Sequence, residues 1–349
     1  MSCRAVSALW QEIMRLGHFS GRGRDVRPGR STPHHGFQIF ADDKKRPDHL
    51  SRSCGRRLHC PRSRKSAMSS DLYQNIQTFY DESSGLWERT WGEHMHHGFY
   101  GLTGTHQKDQ QQAQVDLIDA LLQWAEIQQA RKILDAGCGI GGSALYLGDR
   151  YDAEVMGLTL SPKQAARATE RAAIAGLAER AQFQVADVLN TPFPDEQFDL
   201  IWSMESGEHY PDKGQFFQES YRLLKPGGRL LMATWCHRPT ESLAGVLTQS
   251  EQWHLDALYQ VYHLPYVLSL PDYAQLATQA GYRAVRPADW SDAVAPFWDA
   301  VISSALQWEA IVGLWQAGPQ TLQGALALGL MRWGFQRGLV RYGILTATK

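Results

Sequence analysis

The chain has 349 residues, with 35 Lys and Arg against 36 Asp and Glu, and a formal net charge of −1. This balance hides an asymmetry, because residues 1–67 hold 15 basic and 5 acidic side chains, which leaves 20 and 31 for residues 68–349. A body with this acidic excess lacks the basic surface that nucleic-acid binding requires, so neither DNA nor RNA is expected as a partner.

Residues 1–67 are rich in Arg, Gly, Ser and His and have no apolar core typical of a signal peptide. Two interpretations stay open: an organellar transit peptide, or a segment upstream of a true translation start at Met68. In both cases we expect residues 1–67 to be disordered and to take no part in catalysis. Three of the five cysteines lie there, so the body has no disulfide framework and a reducing compartment is expected.

From residue 131 onwards, apolar runs and helix-compatible segments alternate. The predicted strands cover 131–136, 154–158, 181–186, 198–203, 229–235, 282–287 and 340–348, and the helices between them cover 142–150, 162–175 and 213–224. Such alternation predicts an α/β fold, a mostly parallel seven-stranded sheet with helices on both faces.

Further helices are predicted outside this alternation. Two precede it, at 71–80 and 115–124, and two aromatic-rich helical segments at 251–266 and 295–331 interrupt the last strands. We therefore divide the body into an N-terminal helical lid (68–130), a core (131–235), and a helical cap with the closing strands (236–349).

The most informative segment is the glycine-rich turn at residues 132–143. Gly137, Gly139 and Gly142 match the dinucleotide pattern G-x-G-x-x-G. Asp135 with Gly137, Gly139 and Gly141 matches the D-x-G-x-G-x-G of S-adenosylmethionine (SAM) methyltransferases. The glycines alone therefore leave two cofactors open.

Two neighbouring features separate these cofactors. An NAD site needs a carboxylate after the second strand to bind the ribose hydroxyls, but Thr159-Leu160-Ser161-Pro162 stands there. A SAM site needs an acceptor for the ammonium group of its ligand, and Asp135 precedes the first glycine by two residues. SAM is therefore the predicted cofactor.

Several longer segments carry a family resemblance. They are Phe-Tyr-Asp at 79–81, Trp-Gly-Glu-His-Met-His-His-Gly-Phe-Tyr at 91–100, Leu-Ser-Pro at 160–162, Trp-Ser-Met-Glu-Ser-Gly-Glu-His at 202–209 and Leu-Lys-Pro-Gly-Gly at 224–228. With the glycine turn they resemble the tocopherol methyltransferases, from about residue 72 to the C-terminus. Tyr210 departs from the pattern, because this family has Met there, and the change could alter the substrate pocket.

The resemblance implies a Rossmann-like class I methyltransferase fold and methylation of a ring carbon of a prenylated chromanol. The expected reactions are γ- to α-tocopherol and δ- to β-tocopherol, in vitamin E biosynthesis. The implied location is the cytoplasm or a membrane surface in a photosynthetic bacterium, or the plastid if the leader is a transit peptide. The oligomeric state is not predicted.

The expected SAM-binding residues follow the strand ends. Asp135 and the glycine backbone suit the amino-acid group, the resemblance assigns the ribose to the segment after the second strand, and Asp187 would accept from the adenine amino group, with a turn cap as its alternative. The full predicted set is Asp135, Gly137, Cys138, Gly139, Gly141, Gly142, Leu160, Ser161, Gln164, Asp187, Val188 and Ser203.

The histidines of the segment 91–100 suggest a lid over SAM and the head group of the substrate. The expected substrate-binding residues are His94, His96, His97, Tyr100 and Trp235. A metal site is the alternative for the histidines, but no Cys or carboxylate spacing completes a ligand set, so no metal is expected.

His209 is the predicted general base, because an ordinary histidine pKa near 6.5 suits removal of a phenolic proton around neutrality. Glu205 is the second choice and could instead bind the cofactor. A hydrogen-bonded structural histidine is the alternative for His209, since alignment of the reactants can supply much of the rate.

The cap contains aromatic residues that would surround the isoprenoid tail, namely Tyr259, Tyr262, Tyr266, Phe297, Trp298, Trp308 and Trp315. The apolar stretch 320–335 could rest on a membrane surface. The competing functions are an N-methyltransferase acting on an amine or alkaloid, an NAD-dependent oxidoreductase, and a catalytically silent SAM-binding lipid carrier.

Overall fold

The computed structural model of the protein describes residues 62–241, 244–305 and 319–349. Predictions for most of the basic leader, and for Trp308 and Trp315 in the cap, lie outside these residues. The first described helix begins at Arg62, before the predicted leader boundary at residue 67, and the division of the chain at that boundary stays a prediction.

Seven strands form one sheet in the order β3-β2-β1-β4-β5-β7-β6. They are β1 (Lys132–Ala136), β2 (Glu154–Thr159), β3 (Ala181–Val185), β4 (Phe198–Met204), β5 (Leu224–His237), β6 (Arg283–Asp289) and β7 (Val340–Thr348). Strands β1 to β5 pair in parallel, whereas β7 runs antiparallel between β5 and β6. The predicted mostly parallel seven-stranded sheet is confirmed.

Ten α-helices surround the sheet in the described part of the chain. They are α1 (Arg62–Trp91), α2 (Gln110–Trp124), α3 (Gly142–Tyr151), α4 (Pro162–Ile174), α5 (Lys213–Leu223), α6 (Gln249–Tyr262), α7 (Leu270–Gln279), α8 (Ser291–Val294), α9 (Pro296–Ala305) and α10 (Pro319–Gln336). A 3-10 turn, Gly207–His209, follows β4.

The central strands are buried because helices cover both faces of a parallel sheet, which favours continuous apolar runs. Ile133 and Leu134 of β1 are fully buried and belong to two separate hydrophobic clusters, one on each face. Asp135 is buried in the same strand, and such a side chain needs a specific role.

The first helix is longer than predicted. The sequence predicts a helix over 71–80, but α1 runs from Arg62 to Trp91. The Arg, Lys and Ala residues at its start are compatible with a helix. Because of this length, α1 extends across the carboxyl edge of the sheet.

The cap also differs in its boundaries. Helix α6 begins at a capping box in which Thr248 and Glu251 satisfy each other's backbone, and it ends at His263 in the left-handed conformation. The predicted helical segment 295–331 appears as α9 and α10 in the described residues. No helix in the described part of the chain is long and apolar enough to cross a membrane.

Candidate active site

A cavity opens at the carboxyl edge of the sheet, where ligands of α/β folds bind. The loops after β1, β2, β3 and β4 form its floor, and α1 and the lid segment 93–96 cover it. The empty space within it is about 1010 Å³, which includes solvent at its open side.

The glycine turn after β1 requires left-handed backbone at three positions. Gly137, Gly139 and Gly141 have φ values of 93°, 53° and 84°. A Cβ on Gly139 would have only the Gln164 amide at 4.0 Å, so its backbone faces open cavity. A Cβ on Gly141 would lie 2.9 Å from the Phe183 ring. Gly141 does not line the cavity, so its absent side chain serves packing instead of ligand contact.

Asp135 fits the amino end of SAM. Its side chain is 2% exposed, the backbone N–H of Ala144 donates to the carboxylate, and Oδ2 has no hydrogen-bond partner among the described residues. Burial raises the pKa of this carboxyl to about 7, against the opposing effect of the Ala144 N–H. A buried acceptor without a partner is costly, and a cationic ligand group would satisfy it.

The sequence has no carboxylate directly after β2, but a carboxylate of α1 reaches the segment that follows this strand. The Asp81 carboxylate accepts from the Ser161 hydroxyl, while Ser161 Oγ accepts from the Gln164 backbone N–H at 3.0 Å. The Gln164 amide donates to Ser84 Oγ at 3.0 Å and accepts from Thr159 at 2.7 Å. Asp81 and Ser84 were missed as site residues, although Asp81 stands in the Phe-Tyr-Asp segment that carried the resemblance.

Asp187 lines the cavity, and its alternative role as a turn cap is present in the structure. Oδ1 accepts from the Leu189 backbone N–H at 2.9 Å, which is a turn cap, and Oδ2 accepts from the Tyr73 hydroxyl at 2.9 Å. Val188 and Leu160 also line the cavity. Tyr73 of α1 is a third residue that sequence reasoning missed.

Ser203 lies behind the cavity wall, where its hydroxyl pairs with Ser206 at 3.0 Å. Tyr210 lines the cavity, and its hydroxyl donates to the Ala136 carbonyl at 3.0 Å. Tyr210 therefore stabilises the start of the glycine turn through a hydrogen bond that a methionine, the residue of the family at this position, could not donate. The thiol of Cys138 also lines the cavity, and burial raises its pKa well above the usual range.

His94 and His96 line the cavity as neighbours, with 3.3 Å between His94 Nδ1 and His96 Nε2. The Gln114 amide, from α2, donates to the backbone carbonyls of both. Burial lowers the pKa of both rings, that of His94 to about 3, so both are neutral around pH 7.

Glu205 attaches the lid to the sheet. Its two carboxylate oxygens accept from the His97 backbone N–H and from His97 Nδ1, each at 2.8 Å, and from the Tyr342 hydroxyl at 2.9 Å. Burial raises the pKa of Glu205, but the contacts with His97 outweigh it and hold that pKa below its usual value. Both oxygens are occupied, so Glu205 is poorly placed to act as a base.

The structure does not bring three expected substrate residues to the cavity. His97 is buried among the rings of Phe297, Trp298 and Tyr342, behind the wall that Glu205 forms. Tyr100 lies in the hydrophobic cluster of the cap. Trp235 packs against Tyr262 and Trp298 instead.

His209 lines the cavity and lies 2.7 Å from the Tyr80 hydroxyl through Nε2. Burial lowers the pKa of His209 to about 3, with further lowering by Lys213 and His263. This corrects the expectation of a base that titrates near neutrality, because a desolvated imidazole resists protonation. Tyr80 also lines the cavity and was missed, although it belongs to the Phe-Tyr-Asp segment.

A buried ionisable pair lies beside this site. Burial raises the pKa of Glu208 to about 7 and lowers that of Lys213 to about 7. Glu208 accepts from the Trp235 backbone N–H, and the Lys213 ammonium donates to the carbonyls of Glu208 and Tyr210. The pair is held by backbone groups and stiffens the turn that carries His209.

No group of three or more His, Cys, Asp or Glu side chains in residues 62–241, 244–305 and 319–349 is arranged to hold a metal ion. The absence of a metal requirement stays a prediction.

The sheet order, the glycine turn and the buried acceptor at its start define a class I SAM-dependent methyltransferase. The family model described as a methyltransferase domain matches residues 134–232. The cyclase SpnF has a similar solved structure, with a TM-score of 0.67 and 26% identity over 79% of this chain and 96% of that one. An NAD-dependent oxidoreductase is therefore excluded as the class.

Sequence relatives narrow the class further. The chain is 45% identical over 287 residues to a tocopherol O-methyltransferase of Arabidopsis thaliana, covering 80% of this chain and 82% of that one. It is 31% identical to a norajmaline N-methyltransferase of Rauvolfia serpentina, covering 80% and 99%. The chain belongs to the tocopherol methyltransferase family.

Proposed function

We propose that this protein transfers the methyl group of SAM to a ring carbon of a tocopherol chromanol, converting γ- to α-tocopherol and δ- to β-tocopherol. The 45% identity to a tocopherol methyltransferase over 287 residues, 80% of this chain, carries the proposal. That relative is named an O-methyltransferase, so the carbon as acceptor atom is our own inference from the family resemblance.

The residues around the cavity divide the binding task. Asp135 would hold the ammonium group of SAM, and the segment with Ser161 and Gln164, supported by Asp81, would hold the ribose. Asp187 would accept a hydrogen bond from the adenine amino group in place of the one that it accepts from the Tyr73 hydroxyl in this structure. SAM supplies an electrophilic methyl group on a sulfonium: its S–CH3 bond would break as the bond to the ring carbon forms, leaving S-adenosylhomocysteine, and the hydrogen on that ring carbon would then leave as a proton to solvent.

The pair of Tyr80 and His209 would serve the phenol. With the Tyr80 hydroxyl donating to His209 Nε2, the Tyr80 oxygen is left to accept from the phenolic O–H of the substrate. Such a bond increases electron density on the ring without full proton transfer to an imidazole whose pKa is about 3. Alignment of the reactants would then supply much of the rate.

The isoprenoid tail would lie in the cap. Phe79, beside Tyr80 in α1, packs against Tyr262 of α6 at 6.5 Å between ring centroids. Tyr262 in turn packs on Trp235, which contacts Trp298 of α9. This row of packed aromatic rings begins beside Tyr80 of the cavity lining, and its apolar character supports a lipid tail over a charged amine.

Peripheral membrane contact would bring the enzyme to its lipid substrate. Val246, Trp253 and Trp333 are exposed to 81%, 56% and 39% on the loop and helices of the cap. Tryptophan favours the membrane–water interface, which supports the cap as the contacting face. A plastid location, which the name of the Arabidopsis relative suggests, would fit the same proposal.

The test is an acceptor panel with the full chain: γ-, δ- and β-tocopherol, a prenylated quinol, and an indoline amine of the ajmaline type. We expect methylation of γ- and δ-tocopherol and none of the amine. Methylation of the amine alone would move the protein to the N-methyltransferases. Binding of SAM and tocopherol without product would support the lipid-carrier alternative.

A further inference from the structure

We infer that His94, which the sequence suggested for the substrate, binds the ammonium group of SAM together with Asp135. The inference rests on the proposed use of SAM as methyl donor and deepens it by assigning a lid residue to the cofactor.

The position of His94 gives the first argument. A Cβ on Gly142, the first residue of α3, would lie 2.8 Å from His94 Nδ1, so the ring stands directly over the start of that helix. The Asp135 carboxylate accepts from the backbone N–H of Ala144, two residues further on. Both side chains therefore reach the first turn of α3, and both line the same cavity.

The hydrogen bonds of the histidine pair decide which nitrogen carries a proton. His96 Nδ1 lies 2.8 Å from the His97 carbonyl oxygen, which can only accept, so His96 Nδ1 is protonated. In a neutral His96, Nε2 is then the acceptor, and His94 Nδ1 must donate to it. This leaves His94 Nε2 without a proton.

His94 Nε2 is thus an acceptor on a ring that lines the cavity. It makes no hydrogen bond within the described residues, and it is not among the fully buried atoms without a partner. Burial keeps the pKa of His94 far below its usual value, so the nitrogen retains its lone pair at neutral pH. An ammonium group has three donors, and Asp135 Oδ2 and His94 Nε2 would satisfy two of them.

The neighbouring contacts hold this arrangement in place. Arg171 of α4 donates to the backbone carbonyls of Glu93 and Ile140, which ties the lid to the glycine turn. The ring of His94 is thereby held against the start of α3.

The test compares S-adenosylhomocysteine with its analogue in which hydrogen replaces the α-amino group, both measured by calorimetry. His94→Phe keeps a ring and removes the acceptor, whereas His94→Gln can present an oxygen near the position of Nε2. His106→Phe is the matched control, because His106 is an exposed histidine outside the cavity.

We expect His94→Phe to weaken S-adenosylhomocysteine binding about 10- to 100-fold, the usual effect of losing a hydrogen bond to a charged group. Binding of the desamino analogue should change less than about threefold, which is below the effect of one such bond. His94→Gln should recover most of the affinity for S-adenosylhomocysteine, and His106→Phe should bind both ligands as the wild type does.

Equal losses for the two ligands in both His94 variants would overturn the inference, because a merely structural role does not distinguish an amino group. Failure of the wild type to bind S-adenosylhomocysteine at all would contradict the proposed function itself, and the inference with it.

Discussion

The cofactor half of the cavity and the substrate half are built differently. The cofactor half is made of short turns that directly follow strands, so Asp135 and Gly139 reach their positions through local sequence. The substrate half depends on Tyr80 of α1 and His209 of the turn after β4, which meet only when distant segments pack together, and α1 also supplies Asp81 to the ribose segment of the cofactor half. Tyr80 and His209, for example, are 129 residues apart and share a hydrogen bond. Local motifs therefore identify the methyl donor, whereas the acceptor site depends on tertiary packing.

The largest expected effect concerns the cofactor half. Asp135→Asn should weaken S-adenosylhomocysteine binding by about 100-fold or more, because it removes the charged partner of the ammonium group. Calorimetry measures the loss. The free energy of unfolding of the ligand-free protein should not fall, since burial already penalises the ionised carboxyl. Binding close to wild type would remove Asp135 from the SAM site.

In the substrate half, Tyr80→Phe should lower kcat by about 10- to 100-fold, because the hydrogen bond to the phenol is lost. The Kd of S-adenosylhomocysteine should stay within about threefold of wild type, since no bond to a charged ligand group is lost. Steady-state kinetics with γ-tocopherol measures the change in kcat.

Tyr73→Phe is the matched control for that variant, because Tyr73 lies on the same helix but bonds to Asp187. It should alter the cofactor Kd more than kcat. If Tyr80→Phe instead altered mainly the cofactor Kd, and Tyr73→Phe mainly kcat, the division of the cavity into a cofactor half and a substrate half would be contradicted.

Glu205 attaches the lid to the sheet, so its replacement should lower the stability of the folded protein. Glu205→Gln weakens hydrogen bonds from His97 and Tyr342, and we expect the free energy of unfolding to fall by about 2 kcal/mol. Urea denaturation measures it. The folded-state pKa of Glu205 lies below its usual value, so its contribution exists above that value and is lost as the pH falls. A variant as stable as wild type would show that other contacts attach the lid to the sheet.

The smallest expected effect is a pH dependence. The pKa of Asp135 is raised to about 7, and only its ionised form attracts an ammonium group. Between pH 8 and pH 6 the Kd of S-adenosylhomocysteine should therefore rise about tenfold. Asp135→Asn should show a flat profile over the same range, and a flat wild-type profile would exclude this carboxyl as the titrating group.

The sheet, its helices and the glycine turn could be predicted because hydrophobic patterns and turn residues act over a few positions. The carboxylate that supports the ribose segment could not, since Asp81 lies 80 residues before Ser161 and reaches it only through the unexpected length of α1. The low pKa of His209 was missed for a related reason, because desolvation depends on every element packed around the ring.

The most direct test of the account uses SAM with a 13C-labelled methyl group, γ-tocopherol and the full chain, followed by NMR of the product. The account predicts α-tocopherol with the label in one new methyl group on the ring carbon. A product labelled on the phenolic oxygen, or no labelled tocopherol despite binding of both substrates, would contradict it.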